Sequence, residues 1–157
     1  MESTLQEIQR KLKNGVTIEE IAEKISWKEF ESLCAEILEE HGFNVKKNYR
    51  FKLKSWFEID LLATKQFKDY TIALVIDCKH WGIRKGKKSA LKKAALKQEE
   101  RAKQLKKASP IFPGRLETFP LIVTLMEEDI KRVENIWIVP IFKFNSFLLN
   151  LHQILDL

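Results

Sequence analysis

The stretch from 70 to 79 narrows the choice of fold more than any other part of the chain. Residues 71–76 are apolar except for the opening threonine, without the polar alternation of a half-exposed strand. Such a short β-branched and aliphatic run is typical of a strand that is covered on both faces. It ends in three residues that a buried strand rarely carries together, Asp77, Cys78 and Lys79. We therefore predict a central strand between two layers of helices, with charged side chains at its end.

The remaining segments extend this prediction to an α/β fold with a central mixed five-stranded sheet flanked by helices. Helices are predicted to start near Leu5, Thr17, Ser26, Ala90 and Phe147, and strands to cover residues 43–49, 56–64, 70–79, 119–125 and 135–140. If the third and fourth strands are parallel, the helix between them completes a right-handed βαβ unit. We expect residues 1–25 to form an N-terminal helical extension that braces a main domain of residues 26–157.

Asp60 lies near the start of a second apolar run, in the predicted strand that precedes Asp77. Because residues two apart share one face of a strand, Asp77 and Lys79 should project together, with the Cys78 side chain turned away. Charges beside a core are rare unless they pair or hold a metal. The group is therefore either a buried ion pair that serves packing or a site for Mg²⁺, which prefers oxygen ligands. Since buried ion pairs contribute little net stability, we favour the magnesium site, with the Cys78 carbonyl as a further ligand.

Two other polar residues are candidates for the same site. Glu31 lies beside the apolar stripe of the predicted helix that starts after Ser26, and from there it could reach a metal directly or through water. That helix is acidic, and most of its glutamates must be at the surface, so the residues alone leave Glu31 open. Gln98 interrupts a stripe of Leu and Ala and should face the sheet, where it either supports the active site by hydrogen bonds or lies at a tolerated boundary.

The charge of the chain is concentrated in one segment. Residues 84–107 hold eleven Lys and Arg against Glu99 and Glu100, a net +9, which leaves −3 for the remainder of a chain whose total is +6. A local basic patch favours a polyanion such as DNA, although a solvated lysine-rich helix would have the same composition. The candidate DNA-backbone contacts are Arg84, Lys85, Lys87, Lys88, Lys92 and Lys93, with Arg50, Lys52 and Lys54 on a predicted hairpin tip at residues 50–55.

Several other classes of protein are disfavoured by composition. No apolar run approaches the roughly 18 residues of a membrane span, and the first residues lack the layout of a secretory signal. The two cysteines, Cys34 and Cys78, lie in apolar segments and are expected to be reduced, which suits a cytoplasmic protein. The three histidines are scattered, without the spacing of a zinc site.

Four motifs occur in a fixed order along the chain: WxxFE at 27–31, LxxxGFxV at 38–45, EIDLLA at 58–63 and IDCKHW at 76–81. Together they resemble the PD-(D/E)XK nuclease superfamily, and within it the Mrr-like restriction endonucleases and the archaeal Holliday-junction-resolvase-like proteins. The resemblance runs from about Ser26 to the end of the chain. Two departures are visible, because Ile59 replaces the namesake proline and Asp77 replaces the more usual glutamate before x-Lys.

The resemblance implies a restriction-endonuclease-like core and a role for each matching residue. Glu31 corresponds to the helical glutamate, Asp60 to the metal-binding aspartate, and Asp77 with Lys79 to the acid-x-lysine pair. The implied activity is Mg²⁺-dependent hydrolysis of DNA phosphodiester bonds, with Mn²⁺ as a substitute, in repair, recombination or restriction. Many members of this group act as dimers, which leaves a homodimer open. The alternative is a nuclease fold that binds nucleic acid with negligible cleavage.

Overall fold

The computed structural model describes residues 1–80, 87–108, 115–128 and 131–155. The helices are α1 (Thr4–Lys13), α2 (Ile18–Lys24), α3 (Trp27–Glu40), α4 (Lys87–Ala108), α5 (Ile141–Leu149) and α6 (Leu151–Ile154). The strands are β1 (Asn44–Lys52), β2 (Trp56–Gln66), β3 (Tyr70–Lys79), β4 (Arg115–Thr124), β5 (Arg132–Val133) and β6 (Ile136–Pro140). Within these ranges no helix has the length and apolar character that crossing a membrane requires.

The strands form one mixed sheet in the order β1-β2-β3-β4-β6-β5. β3 lies in its interior, antiparallel to β2 and parallel to β4, and positions 71–78 are all buried. The predicted α/β fold with a mixed sheet is therefore confirmed. The two strands that α4 connects are parallel, which was the condition for a βαβ unit. The predicted number of five strands is wrong, because the edge carries a sixth strand, β5. Its two residues are too few to show a hydrophobic period in sequence.

The C-terminal helix begins earlier than the sequence pattern indicated. A helix was expected from Phe147, whereas α5 starts at Ile141 directly after Pro140 and ends at Leu149. Pro140 has the extended backbone of an N-cap residue, and Ile141, Phe144 and Leu148 form the buried stripe. The hairpin tip is also shorter than predicted, since β1 continues through Lys52.

Different helices pack on the two faces of the sheet. Alternate residues of β3, including Ile72, Leu74 and Ile76, belong to a core that also holds side chains of α1, α2, α3, α5 and α6. We call this side the α3 face. Ala73 and Val75, which alternate with these residues along β3, belong to a cluster with side chains of α4. We call that side of the sheet the α4 face. This two-sided cover explains why the strand is apolar throughout.

The first 25 residues pack on the α3 face. Ile8, Ile21 and Ile25 are buried in the same core as α3 and α5. The Leu5 backbone amide donates a hydrogen bond of 2.6 Å to a carboxylate oxygen of Glu36. These contacts are those of a brace, and the division of the chain at residue 25 stays a prediction.

Candidate active site

The carboxylates of Asp60 and Asp77 meet where the β2–β3 ladder ends. The paired register runs as far as Leu61 with Ile76, so the next residue on each strand is an aspartate. The two carboxyls lie close enough for a hydrogen bond between them to contribute to a raised pKa of Asp60, and the Cys78 amide donates to Oδ2 of Asp60 at 3.1 Å. Two side chains that are seventeen residues apart in sequence thus form one acidic pair beyond the last paired residues.

A local distortion of the sheet sets the position of Asp60. In a regular strand Ile59 and Leu61 would share a face, but Ile59 packs in the α4-side cluster and Leu61 in the core of the α3 face. The regular alternation of side chains between the two faces of the sheet is therefore interrupted at Asp60. On the neighbouring strand β1, Lys47 and Tyr49 are register partners of β2 residues, whereas the register skips Asn48 between them. Asn48 has a φ of 50°. A left-handed conformation is uncommon outside glycine, and asparagine is among the residues that tolerate it best.

The environment of Asp60 favours its protonated form. Burial, together with the hydrogen bond to Asp77 and the charge of that neighbour, raises the pKa of Asp60 to about 7 from an ordinary 3.8. The Cys78 amide opposes this shift, and the charge of Glu31 adds to it. Carboxyls held this close cannot both ionise easily unless a cation compensates them. The pair is therefore suited to bind either a proton or a metal ion.

Lys79 supplies positive charge at the edge of this pair. Its Nζ atom lies 3.1 Å from Oδ2 of Asp77, and the two side chains project together as their two-residue spacing predicts. Asp77 is only 5% exposed, whereas the Lys79 side chain keeps 26% of its surface open to solvent. The ammonium group can therefore contact a bound molecule while it remains anchored to Asp77.

Glu31 approaches the aspartate pair from α3. The helix starts at a capping box in which Ser26 and Glu29 bond each other's backbone amides, and this fixes Glu31 in its second turn. Glu31 is 4% exposed, and burial is the main cause that raises the pKa of its carboxyl. In the described ranges its Oε2 atom has no hydrogen-bond partner. A buried carboxylate oxygen without a partner needs a water or a cation.

Two residues near Glu31 were not identified from the sequence. Lys47 on β1 lowers the pKa of Glu31 by its charge, and Glu58 on β2 raises it. Lys47 also donates a hydrogen bond of 3.2 Å to Oγ of Ser32 on α3. Glu58 had a weak signal, as it lies two residues before Asp60. Lys47 had none, because its approach to α3 depends on how β1 pairs and twists.

The side chains of Cys78 and Gln98 lie on opposite faces of the sheet, Cys78 on the α3 face and Gln98 on α4. The Cys78 thiol is buried on the α3 face against Cys34, and that contact together with burial raises its pKa. Gln98 faces the sheet as predicted and is 1% exposed. Its Nε2 donates to the carbonyl oxygens of Val75 at 2.9 Å and Leu121 at 3.3 Å, and Arg101 donates to its Oε1. Gln98 thus bonds the main chain of β3 and β4 rather than the carboxylates.

The acidic side chains of the site match part of the oxygen coordination that a divalent cation requires. Within the part of the chain that the structure describes, no three or more His, Cys, Asp or Glu side chains converge closely enough to form a metal cage. The paired aspartates and the buried carboxylate oxygen of Glu31 nevertheless fit a hard cation. Mg²⁺ commonly uses one or two protein carboxylates and fills its other positions with water and substrate oxygens. The residues present fit a hard divalent cation that keeps positions for water and substrate oxygens.

The structure describes part of the basic surface that was predicted around α4. Lys88, Lys92 and Lys93 are exposed on α4, whereas Arg84, Lys85 and the side chain of Lys87 lie outside the described residues. Between the exposed lysines, Leu91 packs in a cluster with Ile122, and Ile122 is the register partner of Asp77 on β4. The first turns of α4 therefore lie on the side of the sheet toward which Asp77 projects.

The hairpin formed by β1 and β2 carries the second group of predicted basic residues. Arg50, Lys52 and Lys54 are all exposed. A cavity of about 430 Å³ separates the hairpin tip from the C-terminal part of α4, with Lys54 and Lys107 among its lining residues. Of the three predicted hairpin contacts, Lys54 thus lies across this cavity from Lys107 of α4.

Comparison with known proteins identifies a family and a relative. A family model described as restriction endonuclease, the Mrr catalytic domain, matches residues 22–111, a region that contains Glu31, Asp60, Asp77 and Lys79. A protein of Archaeoglobus fulgidus described as uncharacterized is 31% identical over 127 residues, which cover 80% of this chain and 92% of that protein. No solved structure gave a significant match.

Proposed function

Because the chain belongs to the Mrr-type restriction endonuclease family, we propose that it is a Mg²⁺-dependent DNA endonuclease that acts in repair, recombination or restriction. The observation that supports this proposal most strongly is the meeting of Asp60 and Asp77 with Lys79 beside them. A protein that only binds DNA has no need of a carboxyl pair whose pKa is raised by burial, since negative charge repels phosphate. Metal-assisted hydrolysis, by contrast, requires carboxylates that bind the metal ion.

Asp60 and Asp77 would hold the metal ion through carboxylate oxygens, and the Cys78 carbonyl is proposed as a further ligand. Glu31 would bind it directly or through a water, which would give its Oε2 atom a partner. A bound Mg²⁺, or Mn²⁺ in its place, polarises a phosphoryl oxygen and lowers the pKa of a coordinated water. The proton that the aspartate pair holds near neutral pH would be released when the cation binds.

Lys79 would act on the attacking water and on the charge of the transition state. As an ammonium group, Lys79 would donate a hydrogen bond to the water and stabilise the charge that develops on oxygen. As a neutral amine, it would instead take the proton of the attacking water. The 3.1 Å contact with Asp77 holds the lysine in place. Gln98 would contribute indirectly by tying β3 to β4 next to Pro120, a residue without an amide hydrogen for the ladder.

The direct test is cleavage of labelled DNA with and without divalent metal. We expect cleavage in Mg²⁺ or Mn²⁺ and none in excess chelator. We also expect Mg²⁺ to raise the melting temperature of the wild type but not of Asp60→Asn or Asp77→Asn, since ligand binding to the folded state stabilises it. Undiminished cleavage in chelator would contradict the metal site. DNA binding without cleavage under any metal would instead support the binding-only alternative.

The role proposed for α4 predicts a change in salt dependence. Substitution of Lys92 and Lys93 by alanine should reduce the slope of log affinity against log salt by about 2, since each neutralised phosphate contributes about 0.9 for duplex DNA. The matched control replaces Lys13 and Lys24, which are exposed on α1 and α2. This control removes the same amount of positive charge. Equal slopes for the two double variants, measured by fluorescence anisotropy, would exclude a specific phosphate contact by α4.

A further inference from the structure

Trp56 is an exposed aromatic side chain at the tip of the β1–β2 hairpin. It keeps 62% of its surface open to solvent, a high fraction for the largest apolar side chain. The guanidinium of Arg50 lies 5.6 Å from its ring centre and the ammonium of Lys52 lies 5.9 Å away. An exposed indole flanked by two cations has the composition of a nucleic-acid stacking platform.

The hairpin turns this platform away from the protein interior. Phe57 and Ile59 pack on the α4 side, so Trp56 and Glu58, at the alternate positions, face the other way. Lys52 is the register partner of Trp56, and Arg50 is the partner of Glu58. The two cations and the indole therefore share one outer surface of the hairpin.

The same strand leads from this surface to the carboxylate pair. Trp56 lies four residues before Asp60 on β2, which at about 3.3 Å per residue is a separation of about 13 Å. That distance corresponds to about four stacked nucleotides at 3.4 Å each. Trp56, Glu58 and Asp60 are alternate positions of β2, whereas Asp77 projects to the α4 side. A DNA strand that reaches the carboxylate pair from the Asp60 side can therefore present a nearby base to Trp56.

We propose that Trp56, with Arg50 and Lys52, binds an unpaired base a few nucleotides from the cleaved phosphate. The inference rests on the proposed nuclease function and specifies its substrate class as DNA with a single-stranded segment, such as a flap, gap or bubble. Stacking requires an open base face, and in a duplex both faces are covered by neighbouring bases. Arg50 and Lys52 supply the phosphate contacts that keep the strand against the ring.

The test measures binding without cleavage, in chelator, by anisotropy of labelled DNA. Two 20-base-pair duplexes of the same length are compared, one fully paired and one with a central bubble of four nucleotides. Trp56→Ala should weaken binding to the bubble about tenfold or more, as expected for loss of one stacked base, and binding to the paired duplex less than twofold. Trp56→Phe should retain most of the affinity for the bubble. Leu149→Ala, which truncates an apolar side chain that is 69% exposed on α5, should bind both DNAs like the wild type.

A spectroscopic readout separates stacking from a change in the shape of the hairpin. The bubble should quench the tryptophan fluorescence of the wild type more than that of Trp56→Phe, whereas the paired duplex should affect both equally. Equal losses of Trp56→Ala on the two DNAs, or no loss on either, would overturn the inference while leaving the nuclease function intact. A change in oligomeric state of Trp56→Ala by light scattering would also overturn it, since Trp56 would then be a protein contact. A wild type that binds neither DNA would contradict the proposed function itself.

Discussion

Substitution of Asp77 by alanine is expected to lower the rate of DNA cleavage about a thousandfold, while DNA affinity in chelator stays within about twofold. The expected loss follows from removal of a metal ligand that supports several kcal/mol of transition-state stabilisation. Asp77 also anchors Lys79 at 3.1 Å, so its loss releases the ammonium group as well. Affinity should be retained because the proposed phosphate contacts lie on α4 and on the hairpin. Single-turnover cleavage and anisotropy measure the two quantities separately.

Two controls make this result specific. Asp77→Asn keeps the volume of the buried side chain and should lose activity to a similar extent, which distinguishes loss of a ligand from loss of packing. Asp69→Ala removes an exposed aspartate in the turn between β2 and β3 and should cleave like the wild type. Near-normal cleavage by a folded Asp77→Ala protein would exclude Asp77 from the reaction.

Asp60→Asn is expected to abolish cleavage and yet to stabilise the metal-free protein by about 2 kcal/mol at pH 8. The pKa of Asp60 rises from 3.8 to about 7 on folding, so the folded state holds a proton that the unfolded state has released. The stability of the wild type should therefore fall as pH rises from about 4 to 7 and stay low above that. The full shift corresponds to about 4 kcal/mol, and we halve it because Asp60 is only partly buried. Asparagine carries no charge to be desolvated, and its amide can donate to Asp77.

Urea denaturation in chelator at pH 4 and pH 8 measures this effect. The variant and the wild type should have similar stability at pH 4, where Asp60 is protonated in the folded state and about half protonated in the unfolded state, and should differ at pH 8. Asp69→Asn makes the same charge change at an exposed position and should show no comparable gain. A variant that is less stable than the wild type at pH 8 would show that Asp60 contributes to folding rather than opposing it. Added Mg²⁺ should stabilise the wild type and Asp69→Asn but not Asp60→Asn.

The order of elements follows closely from local patterns. The capping residues Ser3, Thr17 and Ser26 begin α1, α2 and α3, and the apolar run of β3 specifies a strand with helices on both faces. These features depend on neighbours in sequence, and sequence is sufficient for them. The sixth strand and the early start of α5 were missed because one is two residues long and the other directly continues a strand.

The candidate site is less evident from sequence because its parts come from distant segments. The spacing of Asp77 and Lys79 predicts a shared face, but Lys47 and Glu58 enter only through strand pairing. Gln98 was predicted to face the sheet, whereas its bonds to Val75 and Leu121 depend on how α4 lies across two strands.

The sequence by itself determined the α/β class, the central strand and the identity of the charged residues, since periodicity and charge are properties of the chain alone. Only the tertiary structure decided that Asp60 meets Asp77, because that contact requires the β2–β3 register and the interrupted alternation at Asp60. Only it brought the glutamate of α3 within electrostatic range of the pair, with one buried oxygen that has no hydrogen-bond partner among the residues the structure describes. A raised pKa is a property of desolvation and of nearby charge, and both arise when the chain is folded.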